Sequence, residues 1–565
     1  MPTPPSDDAN QHFERFVAEF LPAYWREHPS QGIGMGYYAH AADLEVFDAA
    51  RREQRRAFLA GALDQLARFD ATALSSANRA DLAVLRGALE SSLWHLTTFR
   101  SFTWKPSSYN VAEPFSILLE TEYAPLDTRL RTVLARLEKV PAYYAVARAS
   151  ITDPTLEHTE LAIEQNRGAL SVFGDDLLAR VDSSGLDSAD KTLFRQRVMA
   201  ARTAITDYIA YLTDLASKLA KGGARSFRIG SQLYAQKFAH DIAVGLTAEE
   251  LYQRALAEKA RLHDRMAALA RELWPRYMGK AAPPADRLAM IAAVIAELSK
   301  HHIARGDLVA TVRKQIPELE AFVRDKHLLA QDPSRPLVVR ETPPYKRGVA
   351  GASVDSPGPY DPQANTYYNV TPLDDYSAER AESYLREYNH WMLQILDIHE
   401  AVPGHYTQLM HANKSRSLVK SIFGNDAMVE GWAVYGERMM LEAGYGDNAP
   451  EMWLLWMKWN LRTVCNTILD YQVHNQNMTR EQVIDLLERE AFQEKAEASE
   501  KWRRATLTAV QLTSYFAGYS VIWQFREEEQ DRLGAAFDLE KFHNHFLSYG
   551  SIPVPIIQTL MREDR

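Results

Sequence analysis

A short segment of the chain combines the residue types that a hydrolytic metal site needs. His399, Glu400 and His405 lie in the run His-Glu-Ala-Val-Pro-Gly-His. Neutral imidazole nitrogens bind zinc, and a carboxylate beside them can take a proton from the metal-bound water. In the common H-E-x-x-H motif the two His residues are four apart and share one face of a helix. Here they are six apart, so on a regular helix their rings would point about 240° away from each other.

Pro403 and Gly404 offer a way for both imidazoles to reach one ion. Proline lacks a backbone N–H and clashes with the preceding turn, whereas glycine adopts backbone angles that other residues avoid. We therefore predict that the helix is deformed at this pair, so that His399 and His405 bind the same zinc ion. The alternative is an ordinary helix end that has no connection with a metal.

A third metal ligand is expected from the segment Met428–Glu437, which has helical spacing. Glu430 and Glu437 are seven residues apart and share a face of this helix, so one can bind the metal while the other orients a ligand. We favour Glu430 as the ligand, because it follows His405 by 25 residues, a separation that lets the next helix fold back antiparallel. The reverse assignment, in which Glu437 binds the metal and Glu430 forms a cap or salt bridge, stays open.

The elements that must position these residues are mostly helices. Apolar residues recur at helical spacing from Ile205 to Leu219, from Leu59 to Leu66 and from Leu262 to Leu273, and each stripe predicts a helix that buries one face. Two capping boxes, each a Thr followed three residues later by Glu or Gln, predict helices that open at Ala248 and Arg480. Most of the protein is therefore predicted to be helical.

Two short segments before the motif read as β-strands. They are Pro336–Glu341 and Asn365–Thr371, separated by a Pro- and Gly-rich stretch from Pro343 to Pro362. We expect a small sheet beside the active-site cleft, with a long functional loop between the strands. Tyr367 and Tyr368 lie in the second strand, and an edge strand at this place could pair with an extended peptide.

Composition excludes several classes of protein. The 565 residues are 46% hydrophobic and 24% charged, which rules out disordered, collagen-like and low-complexity chains. Lys and Arg total 64 against 74 Asp and Glu, a net charge of -10, so the chain has no overall attraction for nucleic acid or anionic lipid. Cys465 is the only cysteine, which excludes an intrachain disulfide and a four-cysteine metal site.

The beginning of the chain bears on localisation. Its first residues, Met-Pro-Thr-Pro-Pro-Ser-Asp-Asp, have neither the basic nor the apolar region of a secretory signal. No uncharged apolar run approaches the ~20 residues that cross a bilayer. We therefore expect a cytoplasmic protein that has neither a membrane nor a nucleic acid as a partner. The sequence carries no signal for an oligomeric state.

The predicted fold class is mainly α, with a large helical body and the small sheet. The best boundary is the segment Gly222–Gln236, which divides an N-terminal helical region, residues 1–221, from a catalytic region, residues 222–565. We expect the two regions to form one continuous body. Trp453, Trp456 and Trp459 recur every third residue, and we expect them to pack in the core, with a substrate-lining role as the alternative.

The motifs resemble those of a known family, the bacterial proteins of domain of unknown function 885, which are grouped with helical zinc metallopeptidase-like proteins. The family motif H-E-x-x-P-G-H corresponds to His399–His405, and its E-G-W-A-x-Y-x-E to Glu430–Glu437. Weaker likenesses to the family's D-x-x-x-H, Q-A-x-Y-x-x-G and F-H…G-S-x-P patterns fall at Asp470–His474, Gln511–Gly518, Phe542–His543 and Gly550–Pro553. One departure is visible, since Ala509 and Val510 stand where the family usually has Pro-Gly.

The resemblance supplies further candidate catalytic residues. It implies that Tyr515, His543 and Tyr549 are candidate second donors to the oxyanion, and that His474, with Asp470, is a candidate for binding the substrate. For each of these residues, burial in the core with a satisfied hydrogen bond is the alternative. The resemblance also implies a metal in a deep cleft that admits short peptides and excludes folded proteins.

A zinc ion held by His399, His405 and Glu430 would leave one position for water. Glu400 would take a proton from this water and deliver it to the leaving amine, which is amide hydrolysis. The sequence thus predicts a zinc metallopeptidase that acts on short peptides. Two alternatives remain: a zinc hydrolase of another amide or ester, and a non-catalytic helical metal-binding protein. The intact Glu400 counts against the last of these.

Overall fold

A computed structural model describes residues 7–332, 334–343, 351–361, 365–415 and 417–564. The first six residues, and residues 344–350 and 362 of the predicted loop, lie outside this description. The chain divides into two compact units, one formed by Met1–Phe227 with Gly358–Pro362, the other by Arg228–Pro357 with Gln363–Arg565. The division follows Phe227, six residues beyond the predicted boundary.

The first unit is built from helices around an apolar core. Its α-helices, α1 to α10 in chain order, are Asp7–Glu27, Pro29–Gly34, Ala49–Leu66, Ser76–Trp94, Ala112–Glu120, Leu126–Leu137, Val140–Ser150, Leu156–Ala169, Asp175–Ser183 and Ser188–Leu219. The long α10 packs against α7 and α8. Ile205, Tyr208 and Leu212 of its predicted stripe are fully buried, because residues three and four apart share one face of a helix. The prediction of this helix is confirmed.

The second unit holds the remaining helices of the described chain. They are α11 to α25: Gly230–Asp241, Ala248–Met278, Arg287–Leu298, Leu308–Asp325, Ala378–Glu387, His390–Glu400, His405–Ala412, Leu418–Ile422, Asp426–Glu442, Pro450–Asn475, Arg480–Asp485, Lys495–Leu507, Ser514–Leu533, Leu539–Ser548 and Val554–Glu563. Both capping boxes are formed, and their helices begin at Ala248 and Arg480 as predicted. The Thr hydroxyl and the Glu or Gln side chain satisfy backbone N–H groups that a helix end leaves free.

A small three-stranded sheet lies in the second unit. Its strands are β1 (Val338–Glu341), β2 (Ala352–Asp355) and β3 (Tyr367–Val370), in the order β1-β3-β2. β3 pairs parallel with β1 and antiparallel with β2. The mainly α fold with a small sheet is therefore confirmed, and so are the two predicted strands.

Two expectations about this sheet are wrong. The stretch predicted as one long loop contains β2, whose Ala-Ser-Val-Asp sequence is too short and too polar to show strand periodicity. Because β2 pairs with one side of β3 and β1 with the other, β3 is the central strand. Its backbone groups are used within the sheet, so the strand that carries Tyr367 and Tyr368 is not an edge that a peptide could extend.

The helices that carry the motif pack around α19. This helix, Asp426–Glu442, contacts α16, α17, α20 and α23. Within the part of the chain that the structure describes, we find no helix with the length and apolar character needed to cross a bilayer.

Candidate metal centre

The His-Glu-Ala-Val-Pro-Gly-His motif lies at a break between two helices. α16 ends at Glu400 and α17 begins at His405. The Gly404 N–H donates to the Ile398 carbonyl oxygen at 3.0 Å, and the Trp432 indole N–H donates to the Pro403 carbonyl oxygen at 2.8 Å. The expected deformation is thus a complete interruption, which starts a new helix with His405 at its first position.

Gly404 is required by close packing of the backbone. Its φ is -71° and its ψ is -131°, a combination outside the helical and extended regions, so the expected unusual backbone is present although φ is not positive. A Cβ atom here would lie 1.8 Å from the His399 carbonyl oxygen and 2.4 Å from that of Ile398. The absence of a side chain therefore allows the chain to turn tightly back on the last turn of α16.

Three side chains converge at this break. His399 Nε2 is 3.7 Å and His405 Nε2 is 3.4 Å from Glu430 Oε2, and one ligand atom from each residue lies within 4.8 Å of the others. Glu430 Oε2 is buried and has no hydrogen-bond partner among the described residues. A cation between the three groups would satisfy this oxygen, and two imidazoles with one carboxylate are a donor set that fits zinc.

Glu437 lies behind His399, on the far side of the ring from Glu430. Its Oε1 accepts a hydrogen bond from His399 Nδ1 at 2.6 Å, and Nε2 is the ring atom that faces Glu430. The indole N–H groups of Trp459 and Trp456 donate to the same carboxylate at 3.0 and 3.2 Å. The two Trp residues therefore support Glu437, a role that their spacing alone did not indicate.

The charges of these groups are strongly coupled. Burial alone would lower the pKa of His399, but its contacts with Glu430 and Glu437 outweigh burial and raise the pKa to about 10. Burial likewise opposes the charge of Glu430, yet His399 and His405 hold the pKa of this carboxyl well below its usual value. The shifts of these two pKa values therefore favour an ion pair between His399 and Glu430.

Glu400 differs from the other carboxylates of the site. Its carboxylate makes no hydrogen bond or ion pair among the described residues. Burial raises the pKa of this carboxyl above the usual value for a glutamate. A partly buried carboxylate with a raised pKa and no partner is suited to accept a proton. This is the chemistry that a general base beside a metal requires.

Asp397 is a buried residue of the site that the sequence reasoning missed. Its Oδ1 accepts a hydrogen bond from the Tyr368 hydroxyl at 2.8 Å, so it ties β3 to the helix that carries His399. Burial raises the pKa of Asp397 well above its usual value, and the nearby Glu400 adds to this effect. A single carboxylate within the apolar run Met392–Ile398 was the signal that could have identified it.

Tyr515 lies near the candidate metal ligands. It stands in the first turn of α23, which packs against α19. Burial and the charge of Glu430 raise the pKa of its hydroxyl, so the hydroxyl lies within electrostatic range of that carboxylate. Arg504 Nη2 donates to the Tyr515 oxygen at 3.1 Å, a contact that no motif had indicated.

Val510 keeps an unusual backbone at the place where the chain departs from the family pattern. Its φ is +75°, in the region that glycine adopts readily and β-branched residues avoid. Its N–H donates to Asp470 Oδ2 at 2.7 Å, and its carbonyl oxygen accepts from the Thr513 N–H at 2.9 Å. The turn before Tyr515 is therefore held by hydrogen bonds that compensate for the valine.

His474 and His543 bond to core groups instead of joining the cluster. The Nε2 of His474 contacts the carbonyl oxygens of Ala505 and Thr508 at 3.1 and 2.9 Å. His543 contacts the Leu328 carbonyl oxygen through Nδ1 and the Tyr435 hydroxyl through Nε2, and burial lowers its pKa to about 3. Neither residue therefore has a role in the proposed mechanism.

Tyr549 also has local partners. Its hydroxyl donates to Asp564 and contacts His545 Nε2 at 2.8 Å. These bonds correspond to the alternative stated for this residue, a satisfied polar group at the edge of the core.

The fold and the site together define a class: a mostly helical protein with a candidate centre of two His and one Glu beside an unpaired glutamate. The chain belongs to the family described as bacterial protein of unknown function, domain of unknown function 885, which it matches over residues 29–561. No curated protein matches the chain.

Two solved structures are similar to the chain over nearly its whole length. A "putative lipoprotein of unknown function" from Shewanella oneidensis is 53% identical, with a TM-score of 0.89, and the match covers 97% of this chain and 99% of that one. A "putative lipoprotein" from Colwellia psychrerythraea is 18% identical, with a TM-score of 0.80 and coverage of 98% and 99%. The second likeness concerns the fold alone.

These structures correct the expected localisation. The Shewanella protein, 53% identical to this chain, is described as a putative lipoprotein, and this description contradicts the expectation of a cytoplasmic protein. The reasoning relied on the first residues of the chain. The composition of the folded body does not distinguish the two locations, because either compartment accepts a charged surface over an apolar core.

Proposed function

We propose that this protein is a zinc-dependent metallopeptidase that hydrolyses short peptides. The observation that carries the proposal is the convergence of His399, His405 and Glu430 with Glu400 next to them in the chain. A site that only binds a metal has no use for a partly buried carboxylate without a partner, whereas hydrolysis requires such a base.

His399, His405 and Glu430 would hold the zinc ion. When bound, zinc would polarise the substrate carbonyl and lower the pKa of a water molecule. Glu400 accepts the proton of that water and then donates it to the leaving amine nitrogen. Its raised pKa supports this role, because a carboxyl with greater proton affinity both takes and returns a proton near neutral pH.

Two further residues prepare the site for this reaction. Glu437 accepts the hydrogen bond from His399 Nδ1, which orients the ring with Nε2 towards the metal and makes Nε2 a stronger ligand. Tyr515 donates a hydrogen bond to the oxygen on which negative charge develops. Arg504 orients its hydroxyl from the side, and burial keeps the hydroxyl protonated, since it raises the pKa further.

We also infer that the reaction takes place outside the cytoplasm. The Shewanella protein, which is 53% identical, is described as a putative lipoprotein. Short peptides are the substrate that we propose for such a location, and we propose no nucleic acid partner.

The test combines metal analysis with a peptide digest. The purified protein is analysed for zinc and then incubated with a mixed-peptide library, whose products are identified by mass spectrometry, with the Glu400→Gln variant as the control. We expect about one zinc per chain and cleavage that the variant lacks. Zinc with cleavage of non-peptide amides or esters alone would favour the second hydrolase class. Zinc without any turnover would favour a non-catalytic protein.

A further inference from the structure

Two arginine side chains reach the candidate site from α20 and α22. Arg504 Nη2 donates to the Tyr515 hydroxyl at 3.1 Å and to Gln511 Oε1 at 2.7 Å. The guanidinium of Arg462 lies 4.8 Å from the ring centre of Trp459, whose indole N–H donates to Glu437. Each guanidinium therefore contacts a side chain, Tyr515 or Trp459, that lies next to the residues of the proposed metal centre.

Several basic side chains lie close to Glu497 at this place. Arg462, Lys501 and Arg504 surround Glu497, and all three lower the pKa of that carboxyl. Of these three, Arg462 forms an ion pair with Glu497, at 2.6 Å, among the residues that the structure describes. The neighbouring Lys458 forms its own ion pair with Glu387 at 2.7 Å.

Arg504 is the cation without a counter-ion. Both of its hydrogen bonds go to neutral oxygens, and it forms no ion pair within the described part of the chain. Lys501 is only 4% exposed, and burial lowers its pKa well below the usual value, whereas a guanidinium stays charged at any physiological pH. An arginine inside a site that makes no direct ion pair with a carboxylate is suited to bind an anion.

We propose that Arg504, with the field of Arg462, binds the free C-terminal carboxylate of the substrate, so that the protein is a carboxypeptidase that removes short C-terminal fragments. This inference rests on the proposed peptidase function. Arginine matches the geometry of a carboxylate, which it binds through two parallel hydrogen bonds. Every linear peptide carries that group at its C-terminus. Arg504 touches Tyr515, the proposed oxyanion donor, so the bond to be cleaved lies near the bound terminus.

The first experiment compares two forms of one peptide. The best-cleaved peptide of the digest is N-acetylated and synthesised with either a C-terminal acid or a C-terminal amide. We expect the acid to have a kcat/KM about 10- to 100-fold higher, the range for one charged hydrogen-bonded contact. A second pair of peptides carries Glu or Gln as the residue next to the C-terminus. It distinguishes a side-chain carboxylate from the terminal one as the group that Arg504 binds. Equal rates for acid and amide would overturn the proposal.

The second experiment assigns the preference to Arg504. In Arg504→Gln the ratio of acid to amide rates should fall to near one, and Arg504→Lys should restore part of it. Arg503→Gln, which removes the same charge from an exposed neighbour, should keep the wild-type ratio. A merely structural role for Arg504 would lower both rates together and leave the ratio unchanged, which would contradict the proposal.

A binding measurement separates this inference from the proposed function. N-acetyl-penta-alanine, as acid and as amide, is titrated into Glu400→Gln by calorimetry. Preference for the acid, with no peptide cleaved by the wild type, would reject peptidase activity and keep the carboxylate site. Cleavage of both forms at equal rates, with equal affinities, would keep the peptidase and reject the carboxylate site.

Discussion

Gly431 of α19 and Gly518 of α23 are in direct contact, backbone against backbone. A Cβ atom on Gly431 would lie 2.3 Å from the carbonyl carbon of Gly518, and one on Gly518 would lie 1.6 Å from the carbonyl oxygen of Ala427. Glycine at both positions lets the two helix axes approach more closely than other side chains allow. Since Glu430 precedes Gly431 and Tyr515 lies one turn before Gly518, this contact brings a candidate ligand and a candidate oxyanion donor together.

Gly518→Ala should therefore push α19 away from α23. We expect a loss of about 1–3 kcal/mol of unfolding free energy, the range for an overpacked core, together with weaker zinc binding, because Glu430 moves with its helix. Chemical denaturation and zinc titration on the same preparation measure both effects. Gly87→Ala, a methyl added to a helical glycine with open space around it, is the control and should be neutral or slightly stabilising. Unchanged stability in Gly518→Ala would show that the helices can separate without cost.

Glu400→Gln should retain zinc and lose turnover. The amide has the shape of the carboxylate but cannot accept a proton, and loss of a general base lowers kcat by about 10²–10⁴-fold. Steady-state kinetics on a good peptide, with metal analysis of the same sample, measures this. Glu379→Gln changes an exposed glutamate and should have wild-type activity. A Glu400→Gln variant that keeps more than about a tenth of the wild-type rate would show that another group is the base.

Gly404→Ala should release the metal while the helices stay folded. The new Cβ would collide with the His399 carbonyl oxygen, so the chain must open at the break and carry His405 away from Glu430. We expect zinc content to fall while far-ultraviolet circular dichroism stays near wild type, because the helices are held by many distant contacts. Gly168→Ala, which has free space for its methyl, should bind zinc fully. Full zinc retention in Gly404→Ala would refute this account of the motif.

Glu437→Gln should weaken zinc binding without removing a ligand. The amide accepts a hydrogen bond from His399 less strongly, and its NH₂ group must face N–H donors of Trp456 or Trp459. Changes to such supporting groups lower metal affinity about 10- to 100-fold. Competition with a chelator measures the affinity. Glu442→Gln, on the same helix but 31% exposed, should keep wild-type affinity, and so should Glu437→Gln if that carboxylate serves packing alone.

His543 should make stability depend on pH. Burial lowers its pKa in the folded chain to about 3, from an ordinary value of 6.5, so the unfolded chain binds the proton more strongly. The contribution of His543 to the free energy of unfolding is complete above pH 6.5. It falls by up to about 1.4 kcal/mol per pH unit as the pH drops towards 3. Unfolding free energies at pH 7, 6 and 5 should show this slope in wild type and in His12→Gln. In His543→Gln the slope should be reduced, and an unchanged slope would assign it to other groups.

Much of this protein is determined by local sequence. The helix that ends at Leu219 and the two that begin at Ala248 and Arg480 follow from apolar spacing and from capping residues. These signals operate within a few residues, so they act whatever the rest of the chain does. The candidate ligands His399, His405 and Glu430 were found in the same way, because the chemistry of a metal site restricts both residue type and spacing.

Only the tertiary structure decided which distant residues meet. It placed β2 beside β3, and so made β3 a central strand. It bonded His543 to Leu328 and Tyr435 rather than to the candidate metal centre, and it brought Arg504 to Tyr515. Such contacts join segments that are far apart along the chain, and they depend on how whole helices and strands pack, a property that no short motif carries.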